Sequence, residues 1–225
     1  MNDLKSNRMS LTSLTVNQFI IKNNIDPMKY IFTDFSDKYF RDNNIYVDYN
    51  IPFIEGRFFL GLTVRSLYST CVFINPLANN KRSRNFSICH ELAHCLFDLN
   101  YRIGEQEFFN FQNRDNMYTP EELIFEKLAD GSAGIIMLPD IKLVHYFKTN
   151  KSYPLICDEC QISHSALYNR LIDFGVYSCG MSESMAIRAT KALQSNGDRS
   201  LFRMYLTGVN SDREKQIIYK FQNAL

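Results

Sequence analysis

Apolar and polar positions change their period several times along the chain, and each change marks an element. After a polar opening of about ten residues that reads as loose, Leu14, Phe19, Ile20 and Ile21 fit a short helix. Three stretches follow, Ile45 to Ile51, Arg57 to Arg65 and Tyr68 to Asn75, all rich in Val, Ile, Tyr, Phe and Thr. Glu55-Gly56 and Ser66-Leu67 mark tight connections between them, so an antiparallel meander is expected. Asn75-Pro76 stops the last strand, and Asn79-Asn80-Lys81-Arg82 reads as a polar loop.

Beyond that loop the period becomes helical. Phe86, Ile88, Leu92, Ala93, Leu96 and Phe97 predict a helix that is largely buried. A second helix, over 120–137, is punctuated at both ends: Thr119, Pro120 and Glu122 form a capping box, and Pro139 stops it. Gly131, Ser132, Ala133 and Gly134 are poor interior helix formers, which implies close packing against another helix. From about 155 the chain reads helix, turn, helix: Leu155 to Cys160, then Gln161-Ile162-Ser163, then His164 to Phe174. Ser163 serves as the cap and Gly175 as the stop. Two further helices are expected near 182–194 and 211–224, the second opened by a capping box at Ser211-Asp212-Arg213-Glu214.

Composition narrows the class. A chain of 225 residues with 45% hydrophobic content can bury a real core, and its net charge of +1 leaves no overall electrostatic footprint for nucleic acid. Met1 to Ser6 lack the apolar core of a signal peptide, and no stretch reaches the length of a membrane span. Cys71, Cys89, Cys95, Cys157, Cys160 and Cys179 are scattered, which fits reduced thiols, so a cytoplasmic protein without membrane partners is expected.

The chemistry sits in the buried helix. His90, Glu91 and His94 form an H-E-x-x-H motif there. Histidines at i and i+4 lie one turn apart on one face and can share a metal ion, with the intervening Glu91 in reach of its water. A surface helix with stray histidines is disfavoured by the apolar neighbours, among which an unpaired imidazole pair needs a partner. A catalytic zinc takes three protein ligands, so a third must come from elsewhere. No histidine follows His94 at short spacing, and Glu126 on the second helix is the better candidate. Asp130, one turn on, is placed to accept the outer N–H of a ligand histidine. A solvated acidic face is the competing reading of this pair, whereas capping and the helix dipole already explain Glu121 and Glu122.

Cys157-x-x-Cys160 with His164 and Cys179 lacks the second cysteine pair of a structural zinc site, so a core role is favoured. In the helix-turn-helix region Asp158, Glu159 and Asp173 outnumber Arg170, which argues for packing or protein binding over DNA. The mildly basic positions between 188 and 220 read as an exposed amphipathic face.

Three segments in order resemble the ImmA/IrrE family of zinc metallopeptidases. They are Arg82 to His94, leading into H-E-L-A-H; Glu126 to Pro139, similar to an E-x-x-A-[ND]-x-F-A-x-x-L-L-M-P pattern; and Ile162 to Leu171, similar to V-S-x-x-A-L-x-x-R-L. Ala93 stands where the family has Gly, and Ser132 where it has Phe. Neither departure removes a ligand or the base. The resemblance implies a gluzincin-like peptidase in which Glu126 completes a zinc site and Glu91 is the catalytic base. Its implied partner is a helix-turn-helix transcriptional repressor, cut at one site during mobile-element or stress derepression. The fold class expected is α+β. A small antiparallel sheet packs on a zincin-like two-helix core in residues 1–150, followed by a helix-turn-helix-like helical module over 151–225. Tyr68 to Asn75 is the strand expected to pair with an extended substrate. A non-catalytic antirepressor using the same fold is the alternative, and a DNA-binding regulator the third reading.

Overall fold

The computed structural model describes residues 2–50, 59–76, 80–99, 105–111, 118–208 and 212–225. In chain order the elements begin with α1 (Asn2–Lys22), α2 (Phe32–Asp42), β1 (Tyr46–Asp48), β2 (Phe59–Arg65), β3 (Thr70–Ile74) and α3 (Lys81–Ala93). α3 runs on through a π-helical turn at His94–Asp98. After it come β4 (Gln106–Phe111), α4 (Pro120–Met137), α5 (Asp140–Lys148), α6 (Tyr153–Glu159) and α7 (His164–Asp173). A second π-helical turn, Phe174–Ser178, then leads to α8 (Glu183–Asn196), α9 (Ser200–Thr207) and α10 (Arg213–Gln222). These elements pack as two compact units, residues 32–133 and residues 2–31 with 134–225. No helix among the described residues is long and apolar enough to cross a membrane.

In the first unit the fold is α+β, as expected, but the sheet is mixed. Its strand order is β1-β3-β2-β4, with β2 antiparallel to both neighbours and β1 parallel to β3. The predicted meander fails because β2 has no free edge for β1: β3 occupies one side and β4 the other. The Ser66 turn joins β2 to β3, with Ser66 N donating to Ser69 O at 2.8 Å; Glu55-Gly56 lies outside the described residues. Tyr68 to Asn75 is likewise not an edge, since β3 is paired on both sides, and among the described residues β4 is the longer of the two outer strands. Between Phe59 and Gly61 the β2–β4 register slips at a bulge, where Asn75 binds the carbonyls of Leu60 (3.1 Å) and Phe59 (2.8 Å).

Local chemistry explains where the helices begin. Asn80 caps α3, its side chain accepting from Ser83 N at 3.1 Å, so Lys81 and Arg82 open the helix and are not loop residues. Asn79 lies outside the described residues. The capping box of α4 is present: Glu122 accepts from Thr119 N at 2.7 Å, and Glu122 N donates to Thr119 Oγ1 at 3.3 Å. α2 was not foreseen, yet Phe32, Phe35, Ser36 and Phe40 make its buried face at helical spacing.

In the second unit the opening residues are helical, not loose. Met9, Thr12, Val16 and Ile20 form one buried stripe of α1, and Lys5 pairs with Asp173 at 2.7 Å. Gly134 permits the close approach the sequence implied, because a Cβ there would meet Arg170 Cδ at 3.0 Å. Arg170 itself is buried, with Nε donating to Leu138 O at 2.9 Å and the guanidinium paired with Asp140. The basic residue of the helix-turn-helix region is thus spent on packing. Gly175 does not end a helix; it lies in the π-helical turn, where a Cβ would strike Ala186 Cβ at 2.7 Å. α5 and α9 add helices that the periodicity did not mark. Ser211 lies outside the described residues, and α10 starts at Arg213 without a side-chain cap.

Candidate metal centre

α3 and the π-helical turn that continues it present His90 and His94 one turn apart, with rings 4.8 Å between centroids, and α4 brings Glu126 against both. His90 Nε2 is 3.1 Å from Glu126 Oε2, His94 Nε2 is 3.1 Å from Glu126 Oε1, and the two Nε2 atoms are 3.1 Å apart. His90 and His94 are wholly buried and Glu126 nearly so. Among the described residues this is the group of three side chains whose donor atoms could hold a metal ion, all within 4.8 Å of one another.

The outer nitrogens of the two rings are both engaged. His90 Nδ1 lies 2.9 Å from Asp130 Oδ1. His94 Nδ1 lies 2.9 Å from Asp98 Oδ2, a carboxylate the sequence reading passed over. Its signal was the i, i+4 spacing from His94, hidden within a run read as a buried helix end. Asp98 ends the π-helical turn, which is closed by a bond from Leu99 N to His94 O at 3.1 Å; such turns recur at functional sites.

This arrangement tests whether a cation fits. With each Nδ1–H given to an aspartate, a neutral imidazole offers only a lone pair at Nε2. Two lone pairs and a carboxylate then face one another in a buried space with no proton between them, and only positive charge relieves that. In the protein without a metal, the charge is a proton. Burial alone would lower the His90 pKa, but the Glu126 and Asp130 carboxylates outweigh it and push it up to about 10. His94 is likewise raised, burial opposing and its bonds to Asp98 and Glu126 prevailing. Burial would raise Glu126, yet the two histidines hold it well below the usual carboxylate range. Two imidazoles and a carboxylate are also the donor set of a zinc ion with an open fourth position.

Glu91 sits beside this group on the sheet side and is fully buried. Thr63 of β2 donates to Glu91 Oε2 at 2.7 Å, while Oε1 has no hydrogen-bond partner. Burial raises the Glu91 pKa, against the pull of the histidines and Thr63. Gly61 is what lets the carboxylate fit, since a Cβ there would lie 2.5 Å from Oε1. Thr63 and Gly61 were not singled out by sequence; they share one face of β2, two residues apart.

β4 closes another side. Phe108 stacks on the His94 ring at 4.5 Å and 18°. The Tyr118 hydroxyl donates to Phe109 O at 2.5 Å, accepts from Phe111 N at 2.9 Å and lies 3.4 Å from Glu126 Oε2. His145 and His164 belong to the second unit, and Cys157, Cys160 and Cys179 are buried core thiols there.

A histidine pair on one helix, an acidic ligand on a second and an edge strand beside them make a site of the metallopeptidase type. Residues 54–171 match the family model Peptidase_M78, the IrrE N-terminal-like domain, and the chain belongs to that family. No curated protein and no solved structure gives a match.

Proposed function

We propose that this protein is a zinc-dependent endopeptidase that cuts a helix-turn-helix transcriptional repressor at one site. The observation that carries the reading is the meeting of the two Nε2 atoms and the Glu126 carboxylate at 3.1 Å, with each outer nitrogen fixed by an aspartate. His90, His94 and Glu126 would hold the ion, with Asp130 and Asp98 keeping the two rings oriented with Nε2 inward. When bound, zinc supplies Lewis acidity to the scissile carbonyl and lowers the pKa of water.

The chain's own residues account for the rest. Thr63 holds Glu91 Oε2, so Oε1 is the atom that takes a proton from water and returns it to the departing amine. A carboxyl made more basic by burial suits that role near neutral pH. Tyr118 supplies a hydroxyl at the rim that can turn from Phe109 O toward negative charge on the carbonyl oxygen. The substrate, in extended form, adds to β4, the outer strand of the sheet among the described residues, where the Tyr118 hydroxyl now holds Phe109 O and Phe111 N.

A repressor is the protein substrate implied by the ImmA/IrrE resemblance. The test is incubation of the zinc-loaded protein with the repressor encoded beside it. One cut is expected, slowed by about 10²-fold or more in Glu91→Gln; a cut that persists at full rate in that variant rules out the mechanism. The complete burial of Glu91 favours a second reading, a non-catalytic antirepressor. It predicts that Glu91→Gln still inactivates the repressor, with no cleavage in either form.

A further inference from the structure

On the side of β4 turned away from β2, a side chain stands in for a strand. The Tyr118 hydroxyl donates to Phe109 O at 2.5 Å and accepts from Phe111 N at 2.9 Å, so one oxygen meets both the acceptor and the donor that an added strand would use. A phenol does both at once because its oxygen is donor and acceptor together. The same oxygen lies 3.4 Å from Glu126 Oε2, and Tyr118, Phe109, Phe111 and Glu126 line one cleft. Strand edge and metal centre thus share one hydroxyl.

That sharing creates a competition. A peptide that adds to β4 needs Phe109 O and Phe111 N for its own backbone, and two groups cannot hold them together. Each such bond is worth little net, since a peptide bond replaces it in kind, so eviction of the hydroxyl is within reach of a substrate. Tyr118 is only half-buried, and its ring can turn without unpacking a core. We propose that Tyr118 is a substrate-displaced latch: it occupies the β4 backbone in the resting protein, and an extended peptide evicts it and so frees its hydroxyl for the scissile carbonyl oxygen. This rests on the peptidase reading above. The segment cut is therefore extended and carries no proline where it faces Phe109 O, because proline has no N–H to replace that of the phenol. A ligand that reaches only the ion leaves the latch shut.

The test uses the full chain, zinc-loaded, with Tyr118→Phe and Tyr118→Ala beside it. Its probes are acetohydroxamate, which offers a metal-binding group alone, and a hydroxamate extended by three alanines, each titrated by calorimetry. The ratio of the two affinities reports the tail on β4 and cancels any contact of the hydroxyl with the hydroxamate. Both substitutions are expected to raise that ratio about 3- to 10-fold, and N-methylation of one tail amide to abolish the rise. A ratio unchanged or lowered in both variants overturns the latch, and so does a rise that survives methylation at every tail amide. Digestion of the repressor encoded beside this chain separates the two readings. There Tyr118→Phe should lower KM while kcat falls about 10²-fold; an unchanged kcat makes Tyr118 a mere cover of the edge and also overturns the proposal. A raised ratio without cleavage by any form supports displacement and sinks the peptidase reading. Cleavage with an unchanged ratio keeps the peptidase and removes the latch.

Discussion

Gly61 and Thr63 together define where the Glu91 carboxylate rests, one by leaving room for Oε1 and the other by holding Oε2. Gly61→Ala should therefore displace the carboxylate without touching His90, His94 or Glu126. Turnover is expected to fall by roughly 10²-fold or more, with zinc content by elemental analysis unchanged; loss of zinc in step with activity would refute this role. Asp98 acts on the opposite ring. Asp98→Asn keeps the shape but weakens the hold on His94 Nδ1–H, and zinc affinity measured by competition with a chelator should drop roughly 10- to 100-fold. His90, Glu91 and His94 were legible because a helix repeats every turn and the motif lies within one helix. Asp98, Gly61 and Thr63 were harder to see. Asp98 falls in a turn wound more loosely than the α-helix before it, and the β2 residues meet Glu91 across a separation of about thirty positions.

α4 was readable from end to end, because its signals are local: the cap at Thr119, Pro120 in the first turn, and small residues where Arg170 needs space. Thr119→Ala removes the reciprocal cap and should cost about 1 kcal/mol in urea unfolding. An unchanged midpoint would mean that Glu122 caps the helix alone. β4 was not legible, since Phe108, Phe109 and Phe111 break simple alternation and its strand is defined by pairing with β2. The sheet order followed from the same gap: without β4, nothing in the sequence denied β1 its place beside β2. α1 escaped because its buried stripe includes Thr12 and is narrow, so the polar majority of the helix dominated the pattern. Pairing and tertiary burial, unlike caps and turns, leave no mark within a short window.

For the molecule as a whole, the cluster of His90, His94 and Glu126 links stability to pH. In the chelated protein, the raised His90 pKa contributes stability that is full below its ordinary 6.5 and is lost as pH rises toward about 10. The lowered Glu126 pKa contributes stability that is full above its ordinary 4.5 and is lost as pH falls. Melting temperatures after chelation should therefore receive their largest contribution from this pair between about pH 4.5 and 6.5. Zinc must displace the His90 proton, so it should bind more tightly as pH rises and release a proton, detectable by calorimetry in buffers of different ionisation enthalpy. Zinc at 100 times its Kd should add about 2.7 kcal/mol to the folded state. The six cysteines offer a means to watch where the protein opens. Cys71, Cys89 and Cys95 lie in one unit and Cys157, Cys160 and Cys179 in the other; all but Cys71 are buried, and burial raises the Cys89, Cys95, Cys160 and Cys179 thiols. A thiol reagent added to the native protein should mark Cys71 first. Each later adduct, timed by mass spectrometry, then becomes a clock for the breathing of one unit independent of the other.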